Sequence, residues 1–288
     1  MALDAVIPEV WAGRLLANLN DSHVYAGLGN RDYEGDIKEY GDVVRINSIG
    51  RVTVSSYTKN TTIGAPETLN AEGQTLTVDQ ASYINFQIDD VDKRQQRPKL
   101  MDDAMAEAAW RLSDTMDENI ATHIAATGSG FDSASTGNRL ADTTVVSSDE
   151  NAYGLLVDLK VKLDEDNTPS SNRWVVVPPF FHGAVLQDQR FVSFGTGENR
   201  SVLTNGAIGR AAGFTIHLSN NVPTTGTGYK VLAGYPGALS LAEQIPMDSF
   251  EFYRPQNRFG DAVKGLHLWG RRLVRPDNVA MVVAVDGG

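Results

Sequence analysis

Glycine-rich segments are where phosphate chemistry would sit, because a phosphate cradle needs consecutive backbone amides that close on one ligand. Three segments qualify by composition: GSGFDS from Gly128, GTGENRS from Gly195 and TGTGYK from Thr225. The first two lack a third glycine and a strand-to-helix setting. In the last, Gly226, Gly228 and Lys230 miss the spacing that puts amides and a lysine on one phosphate chain. All three read as loops or turns. Metal binding needs clustered donors, but His23, His123, His182, His217 and His267 are scattered, with no HxH or HxxxH among them. The acidic run Asp164, Glu165, Asp166, Asn167 resembles the start of a calcium loop. Pro169 stands where that loop needs glycine and Val175 where it needs a bidentate glutamate, so a solvated helix end is expected. Nucleophilic catalysis has no GxSxG elbow, and Ser56 to Lys59 matches S-x-x-K at a strand end, without the helix that chemistry uses. Asp89, Asp90 and Asp92 suggest paired acids, yet adjacent strand residues face opposite sides, so they read as capping a turn. Asn60-Thr61-Thr62 is a glycosylation sequon that matters only on secretion. No catalytic residue, cofactor or metal is expected, and the chain does not read as an enzyme.

Bulk composition points the same way. The 288 residues, 41% hydrophobic, suffice for one large domain or two ordinary ones with a real core. The absence of cysteine excludes disulfides, zinc-thiolate sites and a cysteine nucleophile, and fits a reducing cytosol. A formal charge of -11 disfavours a grip on nucleic acid through phosphate neutralisation, so any contact with DNA should be loose. The local exception, KGLHLWGRRLVR from Lys264 to Arg275, reads as an ordinary strand whose arginines are solvated or paired. No basic leader and no run of about 20 apolar residues occurs, so neither a signal peptide nor a membrane span is expected.

With the chemistry set aside, the elements themselves carry the signal. A short helix is expected from about Pro8 to Leu19, then an extended arm punctuated by Gly27, Gly29 and Gly35. From Gly41, VVRINSIGRVTVSSYT reads as a strand. LTVDQASYINFQIDDVD reads as a second one, with Ile84, Phe86 and Ile88 on one face, and the two together predict a long hairpin. Its connection, KNTTIGAPETLNAEG, exceeds the usual hairpin loop, and a projecting two-stranded ribbon is marginal alone, so a partner surface is expected.

Then Met101, Met105, Ala108, Leu112, Met116, Ile120 and Ile124, at steps of three or four, predict an amphipathic helix from Pro98 to Ala126, roughly 43 Å long. The polar stretch after it predicts a hinge with a domain boundary near Ala141. Beyond lie a helix carrying Leu155, Leu156, Leu159 and Leu163, a buried strand RWVVV and a helix FFHGAVLQDQRF. Strand and turn signals then alternate to the closing NVAMVVAVD, an α+β second half.

The most suggestive stretches are DYEGDIKEYGDVVRI, VDQASYINFQIDDVD, GFTIHLSNNVP and GLHLWGRRLVRP. With this order of parts, the chain resembles the HK97-type major capsid proteins of tailed bacteriophages, with the nearest likeness to the P22 coat protein family. The resemblance implies an α+β fold of five parts. They are an N-terminal arm (1–40), an E-loop hairpin (41–92), a peripheral domain with the spine helix and hinge (93–146), an axial domain (147–250) and returning strands (251–288) that complete the peripheral or the axial core. It implies a shell subunit that self-assembles as hexamers and pentamers around double-stranded DNA, made in the host bacterial cytoplasm and located in the virion. A portal and a decoration protein are implied partners, and, because the arm begins almost at Met1, so is either a separate scaffolding protein or scaffold-free assembly. Trp11, Tyr57, Lys59, Glu67, Arg94 and Arg97 are the implied assembly contacts. Lys59 also sits where some relatives cross-link covalently. An encapsulin-like compartment shell, a tail or adaptor protein, and a cytosolic enzyme with an unrecognised site are the alternative readings.

Overall fold

This computed structural model describes residues 24–32, 43–49, 54–62, 64–66, 68, 71–89, 100–128, 138–146, 149–188, 209–226, 228–244 and 251–287. The helix expected from Pro8 to Leu19 lies outside them. In chain order the first half contributes the single turn α1 (Tyr25–Leu28), β1 (Val43–Ile49), β2 (Ala71–Thr77), β3 (Gln80–Asp89) and the helix α2 (Leu100–Thr127). The second half contributes β4 (Arg139–Val146), α3 (Asp149–Glu165), β5 (Trp174–Val177), α4 (Pro179–Gln187), β6 (Arg210–Ala211), β7 (Phe214–Leu218) and β8 (Thr224–Thr225). It ends with β9 (Gly228–Gly234), β10 (Leu239–Gln244), β11 (Glu251–Tyr253), β12 (Gly260–Leu273) and β13 (Val279–Asp286).

Seven strands form one mixed sheet in the order β4-β13-β9-β5-β7-β6, with β8 on β9. Its central strands carry apolar runs, Trp174 to Val177, Val231 to Ala233 and Val279 to Ala284, because both faces are covered there. Val175, Val177, Val231, Ala233 and Val282 face Leu156, Leu159 and Leu163 of α3 and Phe181 of α4. The alternate residues Val176, Leu232 and Met281 face Met116, Ile120 and Ile124 of α2. Asn167, at φ 56, ends α3, and Asp164 pairs with the buried Arg173 at 2.7 Å. The acidic run is therefore a helix end tied to a buried cation.

A second sheet runs β10-β12-β11, with β3 also on β12. The first half of α2 covers it through Met105, Ala109 and Leu112, against Val263, Ile84 and Phe86. One helix of 28 residues, roughly 42 Å, is thus shared between both sheets, as its spacing predicts for a spine.

One expectation is corrected, and two others meet the observed sheets. The run LTVDQASYINFQIDDVD divides at Val78 and Asp79: the partner of β1 is Ala71–Thr77, whereas β3 pairs with β12 from Asp89↔Gly260 to Gln80↔Trp269. Ile84 and Phe86 need a half-buried surface, and β12 with α2 supplies one that a ribbon in solvent lacks. The boundary expected near Ala141 falls inside β4, whose β-branched end Thr143 to Val146 runs parallel to β13. The returning strands serve both cores, since β12 completes the second sheet and β13 lies between β4 and β9 in the first.

Candidate assembly interface

The hairpin has an anchored base and a bare tip. At the base, β1 and β2 pair in register from Val43↔Thr77 to Ile49↔Ala71. Ile46, Leu76 and Val78 bury themselves against Ala242 and Leu268 of the second sheet. Gln74 Nε2 donates to the Val274 carbonyl at 2.9 Å. Where the chain leaves β2 it crosses β12 at Gly270, and a Cβ there would lie 2.9 Å from the Thr77 carbonyl carbon and from Val78 Cα.

Beyond the base, every described residue from 54 to 68 is exposed, with Val54 at 94% and Tyr57 at 70%. The strand expected through VTVSSYT does not extend into the described residues 54–60. They end in a turn, Thr61 N–H to Thr58 O at 3.2 Å, with Asn60 at φ 66. Ser56 and Lys59 therefore stand in an open loop. Of the six expected contacts, Tyr57 and Lys59 come together on this tip. Trp11, Glu67, Arg94 and Arg97 lie outside the described residues.

At the joint between β2 and β3, Asp79, His123 of α2, Arg271 and Arg272 form a charged cluster. Burial, then the two guanidinium groups, push His123 down from 6.5 to about 4 despite Asp79, and its Nε2 is buried without a hydrogen-bond partner. The folded chain therefore resists a proton that the unfolded chain accepts. Stability conferred above pH 6.5 should be lost as pH falls from 6.5 towards 4. Thermal melts across that window should fall less steeply for His123→Gln than for the wild type. Arg271 lies over Trp269, 5.1 Å from its centroid, so this arginine belongs to a packed strand and not to a DNA patch.

Residues 24–32, expected as part of an arm lying on something else, are locked into the chain's own core. Tyr25 and Ala26 are fully buried, and Asp117 of α2 accepts the amides of Val24 at 2.8 Å, Tyr25 at 3.3 Å and Ala26 at 3.3 Å. Burial pushes the Asp117 carboxyl up, while those amides pull it down. Asn30 bridges β10 through Leu239 O at 2.8 Å and Leu241 N at 2.9 Å, and Arg31 pairs with the buried Glu243 at 3.0 Å. Glu243 also meets the buried His267 at 3.0 Å. Sequence reasoning missed these residues. One signal was available: Asp117 falls on the buried stripe of α2, beside Met116 and Ile120, where a carboxylate needs donors.

The second sheet also presents an outward face. Tyr83, 77% exposed, stands opposite Leu266, and Tyr253 Oη donates to Asn85 at 3.1 Å. A cavity of about 510 Å³ between α2 and residues 220–224 is lined by Glu118, Thr122, Asn221 and Lys230. Among the described residues no group of three His, Asp or Glu could hold a metal, and no helix is long and apolar enough to cross a membrane.

A hairpin anchored at its base, a shared spine and two sheets have relatives. The model of the phage capsid protein family matches residues 72–282. The chain belongs to that family. A chain of Mycobacterium phage Che8 is 28% identical, with a TM-score of 0.74 and coverage of 91% of this chain and 90% of that one. The capsid of cyanophage P-SCSP1u is 17% identical, with a TM-score of 0.70 and coverage of 92% and 88%. The holo-SrpI encapsulin complex of Synechococcus elongatus is similar at 10% identity and a TM-score of 0.53, with coverage of 87% and 85%. These last two show the fold alone. No curated protein matches the chain. The subunit has the HK97-like fold and is a phage major capsid protein: copies of it assemble into the shell of the virion. These relatives bear on the family and the fold, and not on the finer likeness to the P22 coat protein.

Proposed function

We propose that the subunit builds an icosahedral head in hexamers and pentamers around double-stranded phage DNA, with each hairpin tip lying on a neighbouring copy. The observation that carries this is the contrast between a base buried on the chain's own sheet and a tip whose Val54 and Tyr57 are almost bare. Apolar groups held out on an extended loop gain burial only against another surface. Tyr57 and Lys59 are the contacts proposed there, with Trp11, Glu67, Arg94 and Arg97 proposed from the sequence alone. The parts are assigned as arm 1–40, hairpin 41–92, peripheral domain 93–146, axial domain 147–250 and returning strands 251–288, residues 24–32 of the arm being its fixed root. The formal charge of -11 supports a loose contact with packaged DNA, and the lack of cysteine supports synthesis in the reducing cytoplasm of a host bacterium. In this reading the subunit is a building block and not an enzyme, assisted by a separate scaffolding protein, a portal and a decoration protein.

The test is to replace residues 54–68 by a short glycine-containing turn. Because the described residues among them are exposed, the stability of the free subunit should change by no more than about 0.5 kcal/mol. Electron micrographs should show free subunits or open assemblies in place of closed shells. Closed shells indistinguishable from the wild type would overturn the assignment of the tip.

A further inference from the structure

We infer that the loop between β11 and β12 of one copy, carrying Arg258 and Phe259, seats in the cavity between α2 and residues 220–224 of a second copy. The contact is separate from that of residues 54–62 and rests only on the assembly of copies into a shell. Residues 254–259, RPQNRF, join β11 to β12. Phe259 is 82% exposed, more than any other described aromatic side chain. Arg254 pairs with Asp261 at 3.9 Å, whereas Arg258, beside the ring, makes no ion pair among the described residues. A single exposed apolar residue is ordinary on a protein surface. A phenyl ring next to an unpaired guanidinium, both held out on one loop, is an aromatic and Arg anchor of the kind that concentrates binding energy at interfaces.

The cavity supplies a counterpart for each part of the anchor. Its volume of about 510 Å³ falls within the roughly 300–1,000 Å³ of pockets that bury a ligand-sized group. Ala125, Val222 and Pro223 line it with apolar surface for the ring. Glu118, which is exposed, makes no ion pair among the described residues. Asp114, one turn earlier on α2, accepts a hydrogen bond from Asn221 of the opposite wall at 2.8 Å. The α2 side of the cavity is therefore acidic. Lys230 lines it from β9, so a guanidinium is drawn to the α2 side. The loop does not reach the cavity of its own copy. Val263 packs with Met105, Ala109 and Leu112, whereas Trp269 and Leu273 pack with Met116, Ile120 and Ile124. β12 and α2 thus run the same way, which puts Phe259 beyond the Met105 end of the contact. About 20 Å of helix separates Met105 from Glu118. Loop and cavity lie at opposite ends of one spine, and a second copy is needed to bring them together.

Charge exchange tests this on the full-length subunit, purified free of DNA. Arg258→Glu and Glu118→Arg should each raise the concentration needed for half-assembly roughly tenfold, because each sets like charges against one another across the contact. Arg258→Glu together with Glu118→Arg should return the threshold to within about threefold of the wild type. Phe259→Ala should raise it by about tenfold as well, through lost burial. All three positions are exposed, so the urea midpoints of the free subunits should stay at the wild-type value. Unchanged assembly in any single variant, which is also the result expected of a loop that serves packaged DNA, overturns the proposal. So does a pair of exchanged charges that restores nothing. Residues 54–62 are untouched by these variants, so excision of that tip tests the hairpin contact separately. Should a charge variant fail to fold, the absence of native cysteine supplies a second measurement. Assembled Asn257→Cys/Thr122→Cys subunits treated with a short bismaleimide should yield covalent dimers or larger products, which neither single variant forms in quantity. Monomer alone overturns the proposal.

Discussion

Gly270→Val is expected to lift the hairpin from its sheet and to leave a subunit that cannot close a shell. The added Cβ would meet Thr77 and Val78 at 2.9 Å, and the atoms it meets are backbone, which cannot rotate aside as a side chain would. Nor can they retreat together, because Thr77 is paired with Val43, Val78 is fully buried, and β3 is fixed to β12 two residues later. Forcing extra volume into such a contact costs about 3 kcal/mol, read as a lower urea midpoint of the free subunit. The loss of assembly should exceed what this destabilisation alone would cause, because the tip is aimed by the base. Gly154→Ala, on α3 and away from the tip, is the matched control: its Cβ would meet nothing within 4 Å, so stability and shells should both persist. Wild-type shells from Gly270→Val would show that the hairpin is not held at this crossing.

Asp117→Leu should cost about 4 kcal/mol, since it removes the carboxylate that accepts the amides of Val24, Tyr25 and Ala26, the last two fully buried. Asp117→Asn keeps one carbonyl acceptor and should cost about half as much. Both should free residues 24–32, seen as faster amide exchange at Tyr25 and Ala26 than at Val176 in the central sheet. Equal protection in wild type and variant would mean that Tyr25 and Ala26 are held by apolar packing alone. Because this root belongs to the core, removing residues 1–40 should destabilise the subunit itself. A deletion meant to probe contacts between copies should therefore stop before Val24.

Elements that bury an apolar stripe were readable from the residues. The steps from Met105 to Ile124 set the face of α2, and the unbroken run WVVV marked β5 as buried on both sides. The failures share a cause. Which strand pairs with which is decided by surfaces far apart in sequence, so the alternation of Ile84, Phe86 and Ile88 announced a strand but not that β12, about 180 residues on, would receive it. Thr143 to Val146 likewise read as a polar hinge because the edge of β13 that makes them a strand lies at the other end of the chain. Of the candidate contacts, Tyr57 and Lys59 are proposed because they stand on the part of the hairpin that its own chain leaves exposed. Asp117 and Gly270 were hidden because each acts on backbone, and backbone leaves little trace in side-chain pattern. Glycine in the middle of the run LHLWGRRL was the one visible hint of a close crossing.

Electron cryomicroscopy of particles formed by the purified full-length chain tests the central claim most directly. The expected result is closed icosahedral shells in which Val54 and Tyr57 of each subunit are buried against a neighbouring copy. Isolated globules, or closed shells whose residues 54–62 face solvent in every copy, would contradict it.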